Sequence, residues 1–326
     1  MQAVILAAGK STRTYPLTLT KPKPLLKVGN KTLLEHNLDN LNNIVDEVII
    51  VIGYKKDMIK KYIVKRYKNL KIKYVNQKRQ LGTGNALLVT EKYIKDDFIS
   101  LYGDDIYSRE DFENVSKNEY SILTIKVENS KSFGTIVEKN NVLKKIIEKP
   151  QRFISHLVNT GLYKLDKKIF NILKNLGKSK RNEYELTDAI NSLAKNECIY
   201  CVKATQWFPI ACPFDILMAD KSLRKNRSLI GKNSQIYGSV INSSIGDNCI
   251  INGTVTNSII MDKTFIGKDS FIKNSVIGEN VNFNGKSVNS VIADNVKAEN
   301  VVVKDCKIWP NKVIKNKTIE YDVHGC

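Results

Sequence analysis

The hydrophobic pattern of the first two thirds of the chain alternates between two periods. The run Ala3-Val4-Ile5-Leu6-Ala7 reads as a buried strand, and a helical pattern follows from about Thr32 to Ile44, with Leu33, Leu34, Leu38 and Leu41 on one stripe. Next come a strand over Glu47–Ile52, a helix near 57–67, a strand over 70–75, a helix near 83–94 and a strand over Phe98–Tyr102. Strands separated by helices predict βαβ units and a mostly parallel sheet. From 120 to 165 the pattern turns to strands, with a hairpin predicted at Asn140-Asn141. Helices near 167–176 and 186–196, a strand over 198–206 and a helix from about 213 to 225 complete this part.

Beyond Asn226 the period changes. Asn-Ser-x-Ile or its like starts at 242, 257, 274 and 289, and Asp-Cys-Lys-Ile continues it at 305, so the steps are 15, 17, 15 and 16. Between these starts, aliphatics stand six apart: Ile230/Ile236, Ile245/Ile251, Ile260/Ile266/Ile272 and Ile308/Ile314. A step of six with Gly, Asn and Asp between predicts a hexapeptide-repeat β-helix of roughly five coils, about three hexads to a coil. The expected domains are therefore 1–227, an α/β domain, and 228–326, the repeats with a short tail.

Composition narrows the function without choosing it. The 326 residues suffice for two cores. The net charge of +19, from 52 Lys+Arg against 33 Asp+Glu, suits anionic small substrates, acidic surfaces or nucleic acid. No nucleic-acid-binding signature accompanies it. The amino terminus lacks the features of a signal peptide, and no apolar run approaches the ~20 residues that span a bilayer. The expected location is the cytoplasm, with no membrane partner. The six cysteines give no disulfide framework. Cys198 and Cys201 match CxxC, but in a strand i and i+3 point to opposite faces, so a shared metal is not expected.

The segment after the first strand carries the chemistry. Gly9-Lys10-Ser11-Thr12 looks like the end of a P-loop, which needs a glycine about five residues before the Gly-Lys glycine and a helix directly after it. Val4 stands at the first position, and Pro16, Pro22 and Pro24 interrupt any helix. The segment reads instead as a proline-stiffened loop at the carboxyl end of a strand, where open α/β sheets bind ligands. Ala7-Ala8-Gly9 lets backbone N–H groups approach phosphate, Arg13 can fork onto it, and Lys23 stands between prolines as a positioned charge. Lys10 and Lys21 read as solvated surface charges.

The stretch AAGKSTRTYPLTLTKPKP resembles the signature of sugar-1-phosphate nucleotidylyltransferases, a family with a Rossmann-like catalytic domain often followed by a left-handed parallel β-helix. The resemblance runs along essentially the whole chain. Gln80-Leu-Gly-Thr-Gly-Asn-Ala86 is similar to the base-binding loop of uridylyltransferases that make UDP-N-acetylglucosamine. It implies nucleotide contacts from Leu6, Ala8, Gly9, Gln77, Gly82 and Thr83, with Gln77 reading the base. Tyr102-Gly-Asp-Asp105 resembles the strand end whose first aspartate, Asp104, binds Mg²⁺. Gly134, Glu148-Lys149-Pro150, Asn159-Thr-Gly161 and Glu183–Asp188 resemble the sugar-side segments, which implies sugar-phosphate contacts from Gly134, Glu148, Lys149, Asn159 and Thr160. Arg13 and Lys23 are implied as the catalytic cations on the triphosphate.

The implied reaction is in-line attack by the phosphate of a sugar 1-phosphate, N-acetylglucosamine or glucose 1-phosphate foremost, on the α-phosphorus of an NTP, releasing pyrophosphate. The Gln77 and LGTG pattern favours UTP, with dTTP and GTP as alternatives. A phosphomonoester is already largely dianionic at neutral pH, so no general base is needed and cations carry the catalysis. Two positions depart from the family pattern. Ser11 replaces a glycine, and Trp207-Phe-Pro-Ile-Ala-Cys-Pro-Phe-Asp215 has Pro209 where a second Mg²⁺-binding aspartate usually stands. Pro209 leaves open a non-catalytic regulatory subunit. Bifunctional relatives carry an acetyltransferase with a histidine base in the β-helix, but no histidine lies between 157 and 323. His36 and the tail's His324 read as structural. The repeats are therefore expected to serve assembly, as a homo-oligomer, with a second activity left open.

Overall fold

In the computed structural model, residues 1–67 and 70–324 are described; Gly325 and Cys326, the end of the tail read from the sequence, lie outside them. The chain forms two compact units, Met1–Gly9 with Leu34–Pro209, and Lys10–Leu33 with Ile210–Cys326.

The first unit is built on a nine-stranded sheet. In chain order its elements are β1 (Gln2–Ala7), α1 (Leu33–Leu41), β2 (Glu47–Ile52), α2 (Lys56–Val64), β3 (Ile72–Asn76), α3 (Thr83–Leu88), β4 (Phe98–Tyr102), α4 (Arg109–Val115), β5 (Ser121–Lys126), β6 (Gly134–Lys139), β7 (Val142–Glu148), β8 (Leu157–Leu165), α5 (Lys168–Lys174), α6 (Leu186–Leu193) and β9 (Tyr200–Lys203). The strand order is β3-β2-β1-β4-β8-β5-β9-β7-β6. The first four run parallel, as the alternating pattern predicts. Helices cover both faces of such a sheet, so residues 3–7 of β1 and 48–52 of β2 are apolar without alternation, and both strands are buried at every position. From β8 onward the sheet is mixed.

The hairpin predicted at Asn140-Asn141 joins β6 to β7, both asparagines at positive φ (54° and 60°), the backbone that a two-residue turn requires. Leu33, Leu34, Leu38 and Leu41 are all fully buried along α1. The helix expected over 83–94 is shorter. Thr90 ends it by turning both its N–H and its hydroxyl onto the Leu87 carbonyl, and a single 3-10 turn follows. The strand expected over 198–206 is confined to 200–203.

The second unit is a ladder of short parallel strands. Its residues fall into three columns that repeat every 15 to 17 residues. One runs Ile230, Ile245, Ile260, Ile277, Ile292, Ile308. Another runs Ile236, Ile251, Ile266, Phe283, Ala298, Ile314. The last runs Val240, Val255, Ile272, Ser287, Val303, Ile319. Residues six apart in sequence thus sit in the first and second columns, the third follows four to six residues later, and the apolar members from Ile245 onward form one core. Corners are made by Asn242, Asn257, Asn274, Asn289 and Asp305, whose φ lies between 45° and 53°, a conformation that Asn and Asp tolerate well. Buried hydroxyls join the layers: Ser243, Ser258, Ser275 and Ser290 each accept an N–H from the next repeat. Helix α7 (Pro213–Arg224) belongs to the same unit. Among the described residues no helix is long and apolar enough to cross a membrane.

Candidate active site

In the first unit, the loops leaving the carboxyl ends of the parallel strands gather the nucleotide-side residues. Leu6 and Ala8 are buried and Gly9 is exposed. The Leu6 carbonyl accepts the Gly103 N–H (2.9 Å), and the Ala8 carbonyl accepts the Tyr54 N–H (3.0 Å) and Gln80 Nε2 (3.2 Å). Gln77, one residue past β3, is buried, and its side-chain nitrogen donates to the Gly82 carbonyl (3.1 Å) and to Asn85 Oδ1 (2.9 Å). It therefore fixes the LGTG loop from inside.

That loop is zipped to the segment 183–186. Gly84 N–H donates to the Tyr184 carbonyl (2.7 Å), Tyr184 N–H to the Leu81 carbonyl (2.9 Å), and Leu186 N–H to Thr83 Oγ1 (3.0 Å). Gly82 has φ +106°, and a Cβ there would stand 2.5 Å from the Tyr184 carbonyl oxygen, so only glycine fits. The predicted base loop and one predicted sugar-side segment are thus one hydrogen-bonded assembly.

The other sugar-side residues meet at the ends of β6, β7 and β8. Gly134 pairs with Glu148 across the hairpin, and a Cβ on Gly134 would lie 3.0 Å from Glu148 Oε2 and 3.6 Å from Asn159 Cβ. Asn159 donates to the Tyr163 hydroxyl (2.6 Å) and accepts the Gly161 N–H (2.9 Å). The Thr160 hydroxyl donates to the Leu123 carbonyl (3.0 Å), while its own carbonyl accepts the Tyr107 hydroxyl (2.7 Å). Gly161, at φ +84°, has the Tyr102 ring where a Cβ would be, at 2.1 Å. Lys149 is exposed at positive φ (44°), its N–H held by the Phe133 carbonyl.

Charge is concentrated here. Arg181 Nη2 lies 2.8 Å from Glu185 Oε1 and 3.6 Å from Glu148 Oε1. Burial raises the Glu148 carboxyl above its ordinary range; Arg181 opposes this and Glu185 adds to it. Asp188 is raised likewise, by burial and then by Glu185. These carboxylates can accept hydroxyl hydrogen bonds of the kind a sugar offers.

Asp104 follows β4 and is half-buried. Its neighbour Asp105 is buried and accepts Trp207 Nε1 at 3.1 Å. Trp207-Phe208 pairs antiparallel with Ile106-Tyr107, and continuing that register brings Pro209 opposite Asp105. Pro209 thus stands at a place from which a side-chain carboxylate would face the Asp104-Asp105 turn. Among the described residues no cluster of three or more His, Cys, Asp or Glu side chains forms a metal site.

The signature segment belongs to the second unit from Lys10 onward. It folds as three 3-10 turns, Thr12–Thr14, Leu17–Leu19 and Lys23–Leu25. Ser11 takes the left-handed conformation (φ 52°), and its carbonyl accepts the hydroxyls of Thr14 (2.7 Å) and Thr18 (2.9 Å). A glycine would adopt that backbone without strain, which accounts for the glycine usual at this position; Ser11 takes it at a cost. Lys10 and Arg13 are exposed, and Lys23 is buried. Lys21 is not the surface charge expected. It is 4% exposed, with its ammonium 2.6 Å from Glu279 Oε1 and 3.0 Å from Asp294 Oδ2, an ion-pair contact rather than an aligned hydrogen bond.

A family model described as nucleotidyl transferase matches residues 2–225, and one described as the GMPPB C-terminal domain matches 220–323. The UTP–glucose-1-phosphate uridylyltransferase AglF of Haloferax volcanii is 34% identical over 245 residues, 69% of this chain and 97% of that protein. The chain belongs to the sugar-1-phosphate nucleotidylyltransferase family. The bifunctional protein GlmU of Methanococcus maripaludis (strain C7) is 37% identical over 250 residues, 74% of this chain. The chain spans about 60% of the length of that relative. A solved UDP-glucose pyrophosphorylase, complexed with UDP-glucose, is 25% identical with a TM-score of 0.62, covering 69% of this chain and 99% of that one.

For a nucleotidylyltransferase of this family, the structure adds residues that sequence reading passed over. Gln80, Asn85 and Arg181 hold the loops, Tyr102 and Tyr107 floor the Asn159–Gly161 turn, and Trp207 engages Asp105. Gln80, Asn85, Tyr102 and Trp207 lie inside the sequence motifs, so a signal existed for them. Arg181 had only its four-residue spacing to Glu185 as a signal, since its approach to Glu148 is set by the fold. Cys198 precedes β9 and Cys201 lies within it; both are free. His324 packs on the Trp309 ring, with centroids 4.0 Å apart, as a structural residue would.

Proposed function

We propose that this chain joins an NTP, with UTP favoured, to a sugar 1-phosphate, N-acetylglucosamine or glucose 1-phosphate, giving an NDP-sugar and pyrophosphate. The observation that carries this reading is the convergence of Gln77, the LGTG loop and segment 183–186 with the Gly134, Glu148 and Asn159 cluster in a chain of this family. In it, backbone of Leu6, Ala8, Gly9 and Gly82, with Thr83, holds the nucleoside. Gln77 positions that loop. Gly134, Glu148, Lys149, Asn159 and Thr160 take the sugar phosphate. Arg13 and Lys23 offset repulsion between two anions and stabilise charge on the transferring phosphorus.

Mg²⁺ fits this chain in a one-carboxylate mode. Asp105 is engaged by Trp207 and Pro209 offers no ligand, so Asp104 would hold the ion together with phosphate oxygens, a common arrangement for this cation. When bound, it neutralises phosphate charge. Uridine specificity draws support from AglF, a UTP-dependent relative, and from the Gln77-anchored loop. We read the ladder as a left-handed β-helix that assembles copies of this chain, in the cytoplasm. The domains are then 1–227 and 228–326.

Two alternatives have specific motives. Pro209 favours a regulatory subunit without turnover. Bifunctional relatives favour an added acetyl transfer, although no histidine lies between 157 and 323. Pyrophosphate release with UTP, dTTP and GTP against glucosamine, N-acetylglucosamine, glucose and mannose 1-phosphates separates these readings. Turnover with UTP is expected; silence with every pair removes the enzyme reading.

A further inference from the structure

Within the second unit, segment 20–30 lies along a column of carboxylates. Asp247, Asp262, Glu279 and Asp294 each stand two residues after an isoleucine of the first column, at Ile245, Ile260, Ile277 and Ile292, so parallel pairing stacks them repeat upon repeat. Backbone bonds tie the stack. Asp262 Oδ1 accepts the Asp247 N–H (2.9 Å), and Asp294 Oδ1 accepts the Glu279 N–H (2.7 Å).

Two lysines six residues apart engage the two halves of this column. Lys27 Nζ reaches both oxygens of Asp262 (2.8 and 2.7 Å) and stands 4.0 Å from Asp247. Lys21 reaches Glu279 and Asp294, and the Thr20 hydroxyl donates to Asp294 Oδ2 (2.6 Å). Next along the chain, the Gly29 N–H donates to Asp220 (2.8 Å) and Asn30 to the Ile245 carbonyl (2.8 Å). Lys23 lies in sequence between the two anchored lysines.

We propose that this acid column is a positioning device for the reaction. By gripping Lys21 and Lys27 it sets the backbone that carries Lys23, so the repeats are required for turnover as well as for assembly. The inference rests on the nucleotidyl-transfer reading. Its physical basis is that a buried ammonium cannot let go of its carboxylates for water cheaply, so the pairs act as a register between loop and ladder more than as a source of stability. Matched charge over successive repeats favours one alignment; a shift by one repeat would leave Lys21 or Lys27 with one carboxylate instead of two.

The test uses the whole chain with Lys21→Met and Asp294→Asn. Lys315→Met serves as control, its Glu299 pair being exposed on both sides. Hydrogen exchange over amides 10–26 and pyrophosphate release at saturating substrates are both read. Lys21→Met should quicken exchange there by about 10-fold or more. It should also lower kcat by ~10–100-fold, as misplacement of a catalytic group does, with the KM for sugar phosphate nearly unchanged. Asp294→Asn should act in the same direction, the double variant should be no worse than the poorer single one, and Lys315→Met should match wild type. If Lys21→Met fails to fold by circular dichroism, Glu279→Gln carries the same test at the half-exposed end of the pair. Folded variants with wild-type kcat overturn the proposal, whatever their exchange. A wild-type chain silent with every substrate pair overturns the reading beneath it instead, and a persisting contrast in exchange tells the two failures apart.

Discussion

In the nine-stranded sheet, Ile49 lies between Val4 on one side and Lys73 on the other; in the ladder, Ile277 lies between Ile260 and Ile292. The sheet's strands have unlike neighbours and each ends in a different loop, so each strand end is a distinct chemical environment. The ladder repeats one environment, with Ser bonding to the next Ser's N–H and Asn to the next Asn. Repetition distributes stability over equivalent layers and leaves few places where one residue is irreplaceable. Chemistry needs such places, and the sheet supplies them at Ala8, Gln77, Gly82 and Asp104. The acid column shows how a repeat can still acquire a specific role, by offering the same carboxylate position several times in register.

Two substitutions would break this contrast if it is wrong. Ile272→Ala removes a fully buried ladder side chain and should cost about 2–5 kcal/mol, read from urea unfolding, while kcat of the folded protein stays near wild type. A large loss of kcat at full folding would mean that the ladder's apolar core is not merely structural. Asp104→Asn, at a strand end, should do the reverse. It should lower kcat/KM by about 10²-fold, about 2.7 kcal/mol of barrier, with an unfolding midpoint close to wild type. An unfolding loss without a rate loss would place Asp104 among the structural carboxylates, beside Asp105.

The same contrast explains which features the sequence made legible. Strand Glu47–Ile52, the Asn140-Asn141 hairpin and the six-residue step depend on neighbours in the chain, so period and turn chemistry suffice to read them. The motif residues of the candidate site were readable as types at strand ends, and the fold joins Gln77, Gly82, Thr83 and segment 183–186 by bonds that no spacing announces. Lys21 was misread because its partners, Glu279 and Asp294, lie more than 250 residues away, and a lysine flanked by proline looks solvated until they are placed. A signal did exist in the acid recurring two residues after Ile245, Ile260, Ile277 and Ile292. Helix α3 was overextended because local propensity continues through 89–94 while a Thr90 side-chain bond stops it.

Smaller effects sharpen the comparison. Asn274 sits at φ 48° and donates to Asn289 Oδ1 at 3.2 Å. Asn274→Ala should cost about 1–2 kcal/mol, because alanine enters the left-handed region at that expense. Asn274→Gly should recover most of it, since the bond between the exposed side chains contributes little. If glycine fails to restore stability, the asparagine ladder matters through its side chains, and the repeats tolerate substitution poorly.

The smallest effect separates burial from charge in the sheet's sugar-side cluster. Burial raises the folded-state value of Glu148 above its ordinary 4.5, so protonation favours the folded chain. That contribution is fully present below 4.5 and is lost as pH rises through the raised folded value. Glu148→Gln removes the titration. The variant should therefore gain stability relative to wild type between about pH 4 and pH 7, by below about 1 kcal/mol because water reaches part of the carboxylate. Urea midpoints at the two pH values measure the difference. A change of opposite sign would mean that Arg181, 3.6 Å away, outweighs burial and that Glu148 is held as a stabilised anion. The carboxylate would then be tied up by Arg181 before any sugar arrived, and Asn159 would be left as the stronger hydroxyl-binding group of the cluster.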